Sequence, residues 1–189
     1  MGSFRSWLTL VFVIVIGSGG ACVQGTSPSS PKTATDVLDQ SISGAERAVL
    51  SLGQMMPAER YAFVPSNGEF TGVRTYGQML KHVAVDNYVN GAALLSETPP
   101  MQVRSRENGP YSLVEKDAIL KFVRDSFVYL HRAVATVNER NLMQPVSYLG
   151  GGSVTRLSVV MSASAHSWDL YGQMIEYLRM NGINPQKVH

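Results

Sequence analysis

Apolar positions recur at helical spacing in four stretches between Thr35 and Leu178. Leu38, Ile42, Ala45, Val49 and Leu52 step by four and three, which places them on one face of a first helix that Gly53 and Pro57 close. Pro57, Pro65, Asn67, Gly68 and Gly72 predict an irregular connection up to Val73, with one short turn over residues 58–62. A second helix over residues 74–95 has two stripes. Tyr76, Leu80, Val83, Asn87, Gly91 and Leu94 form one; Met79, His82, Asp86, Val89 and Ala93 form the other, and Pro99 and Pro100 stop it. The third helix is expected to begin at Ser112, in a capping box with Glu115, and to bury Ile119, Phe122, Ser126, Tyr129, Ala133 and Val137. The fourth follows Gly150-Gly151-Gly152, read as a flexible loop, with Ser153 as cap. It carries Leu157, Met161, Ser164, Trp168, Tyr171, Ile175 and Leu178 as its seam, and Gly182 and Pro185 end it.

No segment alternates with period two for long enough to predict a strand, so four amphipathic helices must bury their faces on one another. The expected fold is all-α, a four-helix bundle. The connection over residues 96–111 exceeds the roughly two to eight residues that join antiparallel helices. Helices two and three are therefore expected to run parallel through a crossover, giving an up-down-down-up bundle.

The N-terminus reads differently. Arg5 precedes an apolar run over residues 7–16, followed by Gly17, Ser18, Gly19, Gly20 and Ala21, which is the order of a secretory signal. A ten-residue run is too short to span a bilayer, which takes roughly twenty. Residues 1–21 are thus expected to be a removed signal, residues 22–34 a tether containing Ser27, Pro28, Ser29, Ser30 and Pro31, and residues 35–189 the bundle domain. Gly20-Ala21-Cys22 resembles the end of a bacterial lipobox, although Gly19 stands where such motifs carry a Leu-like residue. Cys22 is either a lipidated anchor or an incidental first residue, and the expected location is periplasmic or lipid-anchored in a bacterial envelope.

Composition narrows the chemistry. Of 189 residues, 44% are hydrophobic and 16% charged, enough to bury a core. Sixteen basic against fourteen acidic residues, with no like-charge run, lack the footprint of a nucleic-acid binder. The one cysteine excludes an internal disulfide and a thiolate metal cluster. Any metal must be held by His, Asp and Glu. His189 is terminal, and His131, between Leu130 and Arg132, reads as a surface residue. His82 shares its stripe with Met79, Asp86 and Val89, while His166 shares one with Ala163, Leu170 and Tyr177; imidazoles from two helices can build a metal site in a bundle core. Ser162, Ser164 and Ser167 surround His166 without an identifiable orienting acid or oxyanion site, which argues against a serine hydrolase.

Two stretches resemble the DinB/YfiT-like superfamily of metal-dependent bundle enzymes. Residues 74–88, RTYGQMLKHVAVDNY, look like that family's second helix with a ligand histidine at His82; residues 166–185, beginning HSWDLYGQM, look like its fourth helix and exit. The resemblance spans residues 35–187 and implies an up-down-down-up bundle, a divalent metal, zinc or nickel foremost, and frequent dimerisation. It also implies two ligand histidines four residues apart on the last helix. His166 fits the first and Leu170 occupies the second, so a third ligand is expected from Asp169 or Asp86. One expectation is a metal-dependent hydrolase or transferase with an altered site. The other is a non-catalytic bundle that has lost its metal and serves small-ligand binding or dimerisation. Thiol transfer, a third activity the resemblance implies, is disfavoured by export.

Overall fold

The computed structural model describes residues 33–100, 107–148 and 151–185. The expected signal, Cys22, nearly all of the tether, Gly150 and His189 lie outside the described residues. Four helices dominate: α1 (Ala34–Met55), α2 (Tyr76–Leu95), α3 (Lys116–Val134) and α4 (Arg156–Met180), with a 3-10 turn at Ala58–Arg60 and two short strands, β1 (Pro145–Tyr148) and β2 (Gly152–Thr155). Among the described residues, no helix is long and apolar enough to cross a membrane.

Side-chain contacts fix the direction of each helix. Gly53 abuts Leu120, His131 reaches Asp39 and Glu46, and Thr35 bonds the carbonyl of Val137, so α1 and α3 are antiparallel. Gly77 meets Ile119, Asn87 bonds Ser126 and Gly91 meets Tyr129, so α2 and α3 are parallel. Ser41 meets Ser164 and Gly44 meets Trp168, so α1 and α4 are parallel. The result is the expected up-down-down-up bundle. One core joins all four helices, with Ile42, Val49, Leu52, Leu80, Val83, Val123, Phe127, Val160 and Met174 at its centre.

The end of α1 shows how tertiary partners complete a helix. Beyond Leu52, which also accepts from the Met56 amide at 3.4 Å, its last carbonyls have no partner one turn further along the helix, and no basic residue lies in its last turn. Tyr76 donates to the carbonyl of Leu52 at 2.7 Å, Tyr61 to that of Gly53 at 2.7 Å, and the Lys116 ammonium to those of Gln54 and Met56. Gly53 does not close α1, as expected from sequence, but lies inside it: a Cβ there would stand 2.6 Å from Leu120.

Four further expectations are corrected. α3 begins at Lys116 rather than Ser112, because residues 110–113 are held as a turn by the buried Lys81, whose ammonium donates to the carbonyls of Pro110 and Leu113. Burial lowers the Lys81 pKa, and the two carbonyls satisfy its charge. Ser153 lies in β2, and the cap of α4 is Thr155, whose hydroxyl accepts from the Ser158 amide. β1 and β2 pair antiparallel from Pro145↔Thr155 to Tyr148↔Gly152, a hairpin absent from the sequence reading. The seam of α4 is also rotated. Val160, Ala163, Ser167, Leu170 and Met174 are buried, whereas Met161 and Trp168 are exposed. Trp168 packs edge-on to Tyr171 at the surface rather than in the core.

Candidate metal centre

α2 presents His82, Asp86 and Asn90 at successive four-residue steps, one above another on a single helix face. α4 crosses this face in the opposite direction: the Tyr177 hydroxyl donates to the carbonyl of Arg74, and His166 lies against Asp86. A capping box holds the start of α2, with Thr75 accepting from the Gln78 amide and Gln78 accepting from the Thr75 amide. The stripe is thereby fixed two turns before His82.

His82, Asp86 and His166 each offer one ligand atom, and these atoms lie within 4.8 Å of one another. Among the described residues this is the group of three such side chains. His166 Nε2 stands 3.0 Å from Asp86 Oδ2, and the two imidazoles meet edge to face with centroids 5.0 Å apart. Metal bonds of about 2.0–2.2 Å at tetrahedral angles place ligand atoms roughly 3.3–3.6 Å apart, close to this spacing. His82 Nδ1 is 2.7 Å from the carbonyl oxygen of Glu107. A carbonyl only accepts, so Nδ1 carries the proton, and Nε2 of the neutral ring is left with its lone pair.

The Asp86–His166 contact is short but poorly directed. Nε2 of His166 is buried and lacks a hydrogen bond of good geometry, even though the carboxylate is near. Once deprotonated, that nitrogen and the carboxylate beside it are two donors that a cation can share. The pKa values of the two histidines are also shifted in opposite directions. Burial lowers the His82 pKa, against opposing effects from the Glu107 carbonyl and Asp86, while Asp86 at hydrogen-bonding distance raises that of His166. Arg74 adds positive potential at both rings; its guanidinium also holds Asn108 at 2.7 Å and approaches Glu107 at 3.4 Å.

Leu170, at the position where the resemblance calls for a histidine, is 2% exposed and belongs to the core. Asp169 is exposed, accepts from Gln173 at 3.1 Å and reaches His166 only through its charge. The pair of candidate ligands one turn apart therefore sits on α2, as His82 and Asp86, instead of on α4. His131 is not a free surface residue: its two nitrogens lie 2.5 Å from Asp39 and 3.2 Å from Glu46, linking α1 to α3 away from the triad. The sequence reading missed Tyr148, whose hydroxyl donates to Asn90 Oδ1 at 2.7 Å beside the triad. Its signal was the alternation Val146, Tyr148 ahead of a glycine-rich turn and Val154, which is a short hairpin pattern.

No family model matches this chain, and no curated protein does. Solved structures do. A DinB-like protein from Bacillus cereus superposes with a TM-score of 0.64 at 14% identity, over 83% of this chain and 98% of that one. A conserved protein from Enterococcus faecalis gives 0.64 at 14% identity over 79% and 98%. The mycothiol-dependent maleylpyruvate isomerase gives 0.54 at 18% identity, over 72% of this chain and 60% of that one. At such identities likeness speaks for the backbone alone, and the backbone of this chain has the DinB-like fold.

Proposed function

We propose that this chain is an exported metalloprotein of DinB-like fold, in which His82 Nε2, Asp86 and His166 Nε2 hold a divalent cation, zinc or nickel, for a hydrolase or transferase reaction. The observation that carries this reading is the convergence of three ligand atoms within 4.8 Å while the other nitrogen of His82 is occupied by the Glu107 carbonyl. Two nitrogens and one carboxylate form a common donor set for such ions and leave coordination positions open. When bound, the cation supplies Lewis acidity, polarising a carbonyl or lowering the pKa of water. The protein's own part is to orient His82 through Glu107, to contribute the negative charge of Asp86, and to give up the His166 proton.

A second reading has its own support. His166 and Asp86, 3.0 Å apart, also neutralise each other as a plain ion pair, which favours a bundle that binds no metal. Metal analysis of the purified mature protein after growth in zinc and nickel separates the two. About one equivalent, lost in His82→Ala, supports the first; less than a tenth of an equivalent in the native protein, with His82→Ala unchanged, overturns it. Export rests on the apolar run over residues 7–16 and is tested by the mass of the mature chain, which also reveals any lipid on Cys22.

A further inference from the structure

The antiparallel crossing of α2 and α4 makes a ladder of facing positions. Asp86 faces His166; one turn further along α2 and one turn back along α4 stand Asn90 and Ser162. Tyr148, the last residue of β1, fills the gap between them. Its hydroxyl donates to Asn90 Oδ1 at 2.7 Å, and the Ser162 hydroxyl and the charge of Asp86 are felt at the phenol. Asn90 is buried, and its amide nitrogen donates to the carbonyl of Asp86 at 2.8 Å, which fixes the amide's orientation and leaves Oδ1 to hold the phenol. One helical turn rises about 5.4 Å. The phenol is thus held roughly one turn from the point where the three ligand atoms converge, at the span of a small molecule.

We propose that Tyr148 is a ligand-binding residue of the metal centre: its hydroxyl donates a hydrogen bond to a second oxygen of a small oxygen-bearing substrate whose first oxygen is held at His82, Asp86 and His166. The proposal rests on the metal-binding reading above. The hairpin supplies the geometry. Its period-two alternation turns Val146 into the core and Tyr148 toward the same side, while Pro145 and Ser147 face outward. Burial, the larger influence on Tyr148, raises its pKa, so the phenol keeps its proton at neutral pH and stays a donor. Asn90 Oδ1 holds that proton until an oxygen arriving from the triad replaces it.

The test uses the mature protein, cobalt(II) followed by visible absorption, and acetohydroxamate as a small two-oxygen probe. Wild type and Tyr148→Phe are expected to bind cobalt(II) with affinities equal within about threefold. The variant is expected to bind acetohydroxamate about 3–10-fold more weakly, the size of one net hydrogen bond. Failure of wild type to take up cobalt(II) overturns the metal reading and this proposal with it. Cobalt(II) uptake with equal hydroxamate affinities, or with no hydroxamate binding by wild type, overturns this proposal alone. Loss of cobalt(II) binding in Tyr148→Phe also overturns it, because the tyrosine would then be a strut for the centre. A readout without substitution is the Tyr148 ring resonance of the zinc form. It should shift when the probe is added while that of Tyr111, 75% exposed, stays put; an unmoved Tyr148 resonance overturns the proposal.

Discussion

Two neighbouring imidazoles whose pKa values are shifted in opposite directions make the centre sensitive to pH. Asp86 raises the His166 pKa, so the metal-free fold gains a protonated His166, and that contribution is complete below the ordinary imidazole value and lost as pH rises through the raised one. A cation must displace this proton. Apparent metal affinity should therefore climb roughly tenfold per pH unit below the His166 value and level off above it, as read by competitive titration with a fluorescent chelator. A flat profile would mean that His166 is not a ligand. His82, lowered by burial, stays neutral between its own value and that of His166 and adds slope only below its own. The two candidate carboxylates separate as sharply: Asp86→Ala should abolish stoichiometric metal, whereas Asp169→Ala, an exposed side chain paired with Gln173, should bind as the native protein does. His82 and His166 were legible in the sequence less from their half-apolar stripes, where a histidine is usually structural, than from the two stretches around them that resemble the DinB/YfiT-like superfamily. Choosing between Asp86 and Asp169 was not, since both lie within a turn of a histidine and only the rotation of α4 turns Asp169 away.

Helices in this chain are set as much by their neighbours as by their own residues. Thr75 and Gln78 form a local device at the start of α2, and Thr75→Ala should lower stability by about 1 kcal/mol in urea unfolding. Gly91 answers to a different constraint. It is buried in α2, and a Cβ placed there would stand 2.7 Å from the ring of Tyr129 on α3. Gly91→Ala should therefore destabilise by about 1–3 kcal/mol despite alanine's higher helix propensity, and a stabilised variant would show that the parallel α2–α3 contact is looser than described. The start of α3 was misplaced for the same kind of reason. Ser112 and Glu115 fit the capping pattern, yet Lys81 from α2 holds residues 110–113 in a turn, and no local rule encodes a lysine thirty residues away.

At the scale of the molecule, the triad joins α2 to α4 across the bundle, so an occupied centre ties together elements far apart in sequence. A cation that binds only the folded chain at a hundredfold excess over its Kd should add about 2.7 kcal/mol of stability, seen as a rise in Tm that Asp86→Ala eliminates. No metal-dependent shift in the native protein would favour the ion-pair reading. The sequence by itself determined four helices, their long crossover and thus their up-down-down-up order, because helical periodicity and connection length are local quantities. It also placed one histidine on each of two helices. Only the tertiary structure decided which face of α4 is buried, since His166, Trp168 and Leu170 lie on competing stripes and the choice depends on the surfaces that α1 and α2 offer. That rotation buried Leu170, brought His166 to Asp86 and left room for the hairpin to carry Tyr148 alongside. Helical spacing records where a side chain points relative to its own axis, and a metal centre requires knowing where two axes cross.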